Sequence, residues 1–349
     1  MRYRTLGRSG LRVSELFLGT MTFGEDWGWG APVEECRKLF TAYAEAGGNV
    51  IDTANRYTNG ASERIVGDLL AADRDRFVVA TKYTVSNDGT DPNASGNHRK
   101  SLVRSVEQSL RRLGTDYVDL LWVHIWDRGT PIEETMRALD DMVRSGKVLY
   151  VGVSDSPAWV VARANTLTQW RGWSPFVGLQ VPYSLVQRDI ERELLPMAAE
   201  LGLGVAAWSP LARGLLSGKF TRSEPATYGR SEPATPTRIS RSDASERELA
   251  IAREVDTIAD ELGATSSQVA LAWLMAGRSN LHPVVGARRI EQLTDNLAAV
   301  DLELPAEAVR RLAEVSAIEL GFPSDFIAST KRFVYGRVGE RVDLPEPGR

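Results

Sequence analysis

The chain has 349 residues, 43% hydrophobic and 25% charged, with a net charge of -4. That is an ordinary globular mix, and its mild acidity gives a nucleic-acid backbone nothing to hold. The single Cys36 excludes an internal disulfide, and His98, His124 and His282 come without HxxxH or CxxC spacing, so no metal is expected. No apolar run reaches the ~18 residues of a membrane helix and none resembles a signal segment after Met1, so the expected location is cytoplasmic.

In chain order, RYRTLGRSGLRVS (2–14) reads as a small hairpin with Gly7 and Gly10 near its turn. Strand cores follow at SELFLG (14–19), NVIDT (49–53), FVVATK (77–82), YVDLLWVH (117–124), VLYVGVS (148–154), VGLQV (177–181), GVAAWS (204–209) and HPVVGA (282–287). They are rich in Val, Leu and Ile without strict alternation, as parallel strands buried on both faces should be. Helical stretches fall between them at 33–47, 98–114, 131–146, 156–167, 188–202, 266–277 and 290–300, with one starting at Ser62 and one more beyond residue 303. The stretch at 131–146 opens on Pro and closes on Gly, the usual helix boundary signals. Such alternation of strand and helix predicts a single (β/α)8 TIM barrel spanning 1–349, with an N-terminal hairpin and extra helices and loops. A doubly wound open sheet is the alternative, but the GxGxxG turn that such a sheet uses for a dinucleotide is absent. Residues 221–247 are polar and Pro-rich, carry RSEPAT twice, and read as a long loop after the seventh strand, a mobile lid or filler; residues 320–349 read as a C-terminal tail.

Barrel chemistry collects where strands end. The polar residues there are Asp52, Lys82, His124, Ser154, Gln180, Trp208-Ser209 and, just past the last strand, Arg288. Each has a plain structural reading alone: an Asx turn for Asp52, a surface position for Lys82, a helix N-cap for Ser154. Asp, Lys and His at successive strand ends, with Tyr57 in the loop after Asp52, suggest more. An ammonium beside a phenol favours phenolate and is expected to lower the Tyr57 pKa. A carboxylate would keep that ammonium charged, and an imidazole could donate to a carbonyl oxygen. Such a set protonates an oxygen as hydride reaches its carbon, and hydride requires a cofactor.

DTANRYTNGASE, ATKY, YVDLLWVH, VGVSDS, GLQVPYS, AWSPLARGLLSGK and VVGARRIEQLTDN resemble, in order, the aldo-keto reductase superfamily. GTMTFG and GNHRKSLVRSVEQSLRRLGTDYVDLLWVHIWD are most similar to its aryl-alcohol-dehydrogenase-like branch. The resemblance implies a TIM-type barrel that binds NADP(H), with Tyr57 as general acid, Lys82 and Asp52 as its tuning pair, and His124 orienting the carbonyl. It implies Ser154 and Gln180 at the carboxamide, with Asp155 where the family usually has Asn. Trp208 would stack on the nicotinamide. Ser209, Leu211, Gly214 and Lys219 match the pyrophosphate side, and Arg288, Gln292, Asp295 and Asn296 the adenosine end. Thr20 and Met21, from GTMTFG, are counted with the cofactor residues. Trp27, Trp29 and Trp126 are expected to form a hydrophobic substrate wall, with Met21 and Tyr183 as further candidates. The expected activity is an NADP(H)-dependent carbonyl reductase or alcohol dehydrogenase acting on aromatic or other hydrophobic aldehydes and ketones. The alternatives are an NADP-holding regulatory subunit resembling potassium-channel β subunits, and a keto-sugar reductase. Oligomeric state is left open.

Overall fold

The structure is a computed structural model, and it describes residues 1–222, 243–277 and 280–341. Strands β1 (Tyr3–Thr5) and β2 (Arg12–Ser14) form the expected antiparallel hairpin. Eight parallel strands then close into a barrel. They are β3 (Phe17–Gly19), β4 (Val50–Asp52), β5 (Val78–Tyr83), β6 (Val118–Val123), β7 (Val148–Ser154), β8 (Phe176–Pro182), β9 (Gly204–Trp208) and β10 (Leu281–Val285). Each pairs with the next in chain order, and β10 returns to pair with β3. Their β-branched content suits this burial: β5 and β6 are buried at every residue, with helices on one side and the barrel lumen on the other.

The hairpin plugs the end of the barrel opposite the strand C-termini. Leu6 and Val13 join Phe17, Val50, Val78, Leu120 and Trp122 in an internal apolar cluster. Gly7 admits the plug, because a β-carbon there would sit 2.5 Å from the Gly202 carbonyl oxygen. Trp122 fills the lumen, and the neighbouring strand gives it room at Gly152, where a β-carbon would lie 2.4 Å from the indole. The barrel interior is thus packed solid below the strand ends, and any cavity has to open above them.

Helices α1 (Val33–Glu45), α2 (Ala61–Leu70), α3 (Arg99–Leu113), α4 (Ile132–Arg144) and α5 (Ala158–Arg171) wrap the outside. Their apolar spacing does this; in α1 the buried Cys36, Leu39, Phe40 and Tyr43 repeat at helical intervals. Three expectations need correction. The stretch expected as one helix at 188–202 is a 3-10 turn, Asp189–Glu191, followed by α6 (Leu194–Leu201). Pro196 is tolerated only in a first turn, so the helix begins anew just before it. Ser154 caps no helix: α5 starts after Pro157. The segment expected as loop at 221–247 runs into α7 (Glu246–Leu262), where Ser245 and Glu248 form a reciprocal capping box. Most of that segment, 223–242, lies outside the described residues, and the lid expectation with it. Then come α8 (Ser266–Met275), α9 (Ile290–Leu297), α10 (Ala306–Val315), α11 (Ser324–Ser329) and α12 (Lys331–Tyr335). The last two occupy the stretch expected as a plain tail, of which 342–349 are not described. Among the described residues no helix is long and apolar enough to cross a membrane.

Candidate active site

Parallel pairing sets the site. Asp52 ends β4 and Lys82 lies near the end of β5, both pointing inward and almost fully buried. The Lys82 ammonium donates to Asp52 Oδ2 at 2.6 Å and to the Thr53 carbonyl oxygen at 2.7 Å. Gln180, from β8 across the lumen, donates through Nε2 to Asp52 Oδ1 at 2.9 Å. Every acceptor on this buried carboxylate face therefore meets a donor, as a buried charge requires.

Tyr57 comes from the turn after β4. Thr58, Asn59 and Gly60 are all left-handed there, at φ 43°, 54° and 87°. For the β-branched Thr58 this is a strained conformation, held by Thr58 Oγ1 donating to the Phe23 carbonyl oxygen at 2.7 Å and accepting from Ser62 N at 3.0 Å. The turn brings the Tyr57 ring under the ammonium of Lys82, with Nζ 4.8 Å from the ring centroid. His124, just past β6, stands edge-on to Tyr57 with ring centroids 6.2 Å apart.

Burial, the largest influence, works against the charge of Lys82, but Asp52 and Tyr57 more than offset it and hold its pKa above the ordinary lysine value. The expectation of a lowered Tyr57 pKa is overturned. Lys82 pulls the phenol down, yet burial and the Asp52 charge push harder and leave it raised. The group is therefore a held proton donor. Burial, helped by Lys82, lowers His124 to about 3, so its imidazole is neutral near pH 7. Its Nδ1 has no hydrogen-bond partner among the described residues.

Above these groups lies a cavity of about 800 Å³, a volume typical of ligand sites. Asp52, Tyr57, His124, Ser154, Asp155, Gln180 and Trp208 line one end; Ser209, Leu211, Gly214, Lys219, Arg288, Gln292, Asp295 and Asn296 line the rest. Met21, Trp27 and Trp29 form an apolar flank, the two indoles 5.5 Å apart and the Arg56 guanidinium over Trp27. At the far end, burial and the neighbouring Arg288 lower Lys219, and burial and Arg289 lower Arg288. Cations crowded in this way are stabilised by an anion between them.

Three expected residues sit elsewhere. Thr20 is fully buried beneath the site, its Oγ1 donating to the Asp52 carbonyl oxygen at 3.1 Å and bonding Ser62 Oγ. It ties the floor and does not face the cavity. Trp126 leaves the substrate wall: it packs edge-on against Trp159 at 5.5 Å. Tyr183 is buried against Trp273 and donates to Glu191 Oε1. Asp295 lines the cavity but is also tied into the fold, accepting from Thr265 and Gln268. Sequence reasoning missed Arg56, Arg213, Ser267 and Arg289 on the lining. For Ser267 a signal exists in Thr265 and Gln268, whose capping box marks the N-terminus of α8, where Ser267 lies.

A solid parallel barrel with a buried acid, base, phenol and imidazole at its strand ends is the frame of a barrel oxidoreductase. A family model described as the aldo/keto reductase family matches residues 15–317. The chain is 39% identical over 94% of its length to the norsolorinic acid reductase of Aspergillus flavus, covering 84% of that protein. It is 38% identical over 93% of its length to an aryl-alcohol dehydrogenase of Pestalotiopsis microspora, covering 85% of it. An aldo-keto reductase of Aspergillus calidoustus is 36% identical over 93% of the chain, with 85% of that protein covered. The chain belongs to the aldo/keto reductase family, on the side of the aryl-alcohol-dehydrogenase-like members. It is an oxidoreductase of small molecules, in a family that generally uses a reduced nicotinamide dinucleotide.

Proposed function

We propose that this chain is an NADP(H)-dependent carbonyl reductase, and in reverse an alcohol dehydrogenase, for aromatic or other hydrophobic aldehydes and ketones. The observation that carries the reading is the convergence of Tyr57, Lys82, Asp52 and His124 at one end of a cavity whose other end holds Lys219 and Arg288. When bound, the reduced nicotinamide supplies the hydride. Tyr57 delivers its proton to the substrate oxygen. Lys82 stabilises the phenolate left behind, and Asp52 keeps Lys82 charged and aimed. His124, neutral, donates a hydrogen bond to the same oxygen as charge builds on it. The crowded cations suit a dinucleotide bearing an extra phosphate, and the guanidinium of Arg288 has the planar fork that phosphate favours. The flank of Trp27, Trp29 and Met21 favours flat apolar substrates, in keeping with the aryl-alcohol name of a relative.

The test is direct. Purified protein mixed with NADPH and 4-nitrobenzaldehyde should consume the nicotinamide absorbance. Tyr57→Phe should abolish turnover yet preserve quenching of tryptophan fluorescence by NADPH. Undiminished reduction by Tyr57→Phe would remove Tyr57 from its role.

A further inference from the structure

Arg56 stands immediately before Tyr57 and lines the cavity with Met21, Trp27 and Trp29. Its guanidinium is held from two directions. The central carbon lies over the Trp27 ring, 5.6 Å from the centroid. Nη1 donates to Asn59 Oδ1 and, at 3.3 Å, to Asn87 Oδ1. Asn87 is itself anchored, its Nδ2 donating to the Asn55 carbonyl oxygen at 2.8 Å. Both bonds from Arg56 use the same arm. Nε and Nη2, the other edge of the fork, have no hydrogen-bond partner among the described residues. The nearest acid in the chain, Asp52, is already taken by Lys82 and Gln180. A cation that only tied the Tyr57 turn to the Asn87 loop would need no more than Nη1. The remaining edge has the two-donor spacing of a carboxylate, on a side chain already ordered by its neighbours.

We propose that Arg56 selects carbonyl substrates whose aromatic ring carries an anionic group, a carboxylate, which docks on the Nε–Nη2 edge while the ring lies against the Trp27 and Trp29 wall. The inference rests on the carbonyl-reductase reading above and narrows its substrate class from flat apolar carbonyls to flat carbonyls bearing an acid. Arg56 is a specificity residue and carries no proton in the reaction; that role stays with Tyr57.

The experiment compares 2-, 3- and 4-formylbenzoate, each against its methyl ester, at saturating NADPH and neutral pH, where the acids are ionised. The ester keeps the ring and the aldehyde but removes the charge. For at least one isomer, Arg56→Met should lower the acid-to-ester ratio of kcat/KM at least ~10-fold, the loss of a hydrogen bond to a charged group, and the change should lie mainly in KM. Arg56→Lys keeps the charge without the fork and should restore part of that ratio. Acid and ester are read in one preparation, so partial unfolding of a variant leaves the ratio untouched. In the wild type, added salt should depress kcat/KM for that acid more steeply than for its ester. A smaller fall than this in Arg56→Met for all three isomers, or equal salt dependence of acid and ester, reduces Arg56 to a loop tie and overturns the inference, with carbonyl reduction left standing. No oxidation of NADPH with any acid or ester overturns both.

Discussion

The Lys82 ammonium sits 2.6 Å from Asp52 Oδ2, and both side chains are almost wholly shielded from solvent. Removing one partner of such a pair strands the other charge, a loss of roughly 3–5 kcal/mol. Asp52→Asn should therefore lower the unfolding free energy, read from denaturant titration, by an amount in that range and reduce turnover about 100-fold, since the ammonium loses its aim at Tyr57. Asp52→Asn combined with Lys82→Met leaves no buried charge. It should be more stable than Asp52→Asn alone while staying inactive. A double variant as unstable as the two single losses added together would show that the pair is not an isolated charge balance.

His282 is buried against Phe17, ring centroids 4.9 Å apart, with Nδ1 3.1 Å from the Ser14 carbonyl oxygen. Burial lowers its pKa from 6.5 to about 4, with Arg4 pulling the same way and the Ser14 hydrogen bond and Glu15 opposing. Its folded value is below its unfolded one, so the unfolded chain binds the proton more readily. Stability is full above pH 6.5 and is lost as the pH falls toward 4, by on the order of 3 kcal/mol from this residue. His124 has the same sign, over a window reaching about 3. The urea midpoint should thus drop steadily between neutrality and mild acid, and His282→Gln should flatten the decline. A midpoint independent of pH across that window would mean both imidazoles take up protons in the folded state as readily as in the unfolded chain.

Trp122 occupies the lumen because β7 offers no side chain at Gly152, where a β-carbon would fall 2.4 Å from the indole. Gly152→Ala should destabilise the protein by about 1–3 kcal/mol through overpacking. Adding Trp122→Phe should recover much of that loss, because the smaller ring vacates the space. Strictly additive losses in the double variant would rule out steric conflict with Trp122 as the cause.

The barrel is legible in the sequence because strands buried on both faces must be continuously apolar, and all eight expected cores lie in the closed sheet. Boundaries differ by a few residues, as at β3, where Ser14 to Leu16 precede the ladder. The helix α7 is hidden by the Pro-rich segment before it, although the Ser245–Glu248 capping box and the left-handed Gly263 mark its two ends. Asp52, Lys82 and Gln180 are legible as a group because strand register aims them at a single point. Which loop aromatics face the cavity is not, because no period constrains a loop side chain. Trp27 and Trp29 line the cavity, whereas Trp126 turns to Trp159. The direction of the Tyr57 shift also escapes sequence reading. A neighbouring ammonium is visible in the motif, but the degree of burial that outweighs it exists only after folding.

Burial and the Arg288 charge lower the pKa of Lys219, and burial and Arg289 lower that of Arg288, at the end of the cavity away from Tyr57. If the extra phosphate of NADPH is what Arg288 holds, the loss on Arg288→Ala should fall on the phosphorylated cofactor alone. A charged hydrogen bond is worth about 1.5–3 kcal/mol, roughly a 10- to 150-fold change in Kd. Fluorescence titration should show that weakening for NADPH and a change of less than ~3-fold for NADH, which has no partner for the fork. Added salt should weaken NADPH binding to the wild type more steeply than to Arg288→Ala, because one cation–phosphate contact is gone. An equal loss for both dinucleotides would instead place Arg288 at a group they share, the pyrophosphate or the adenine, and would move the discrimination to Lys219, Arg213 or Arg289 on the same lining.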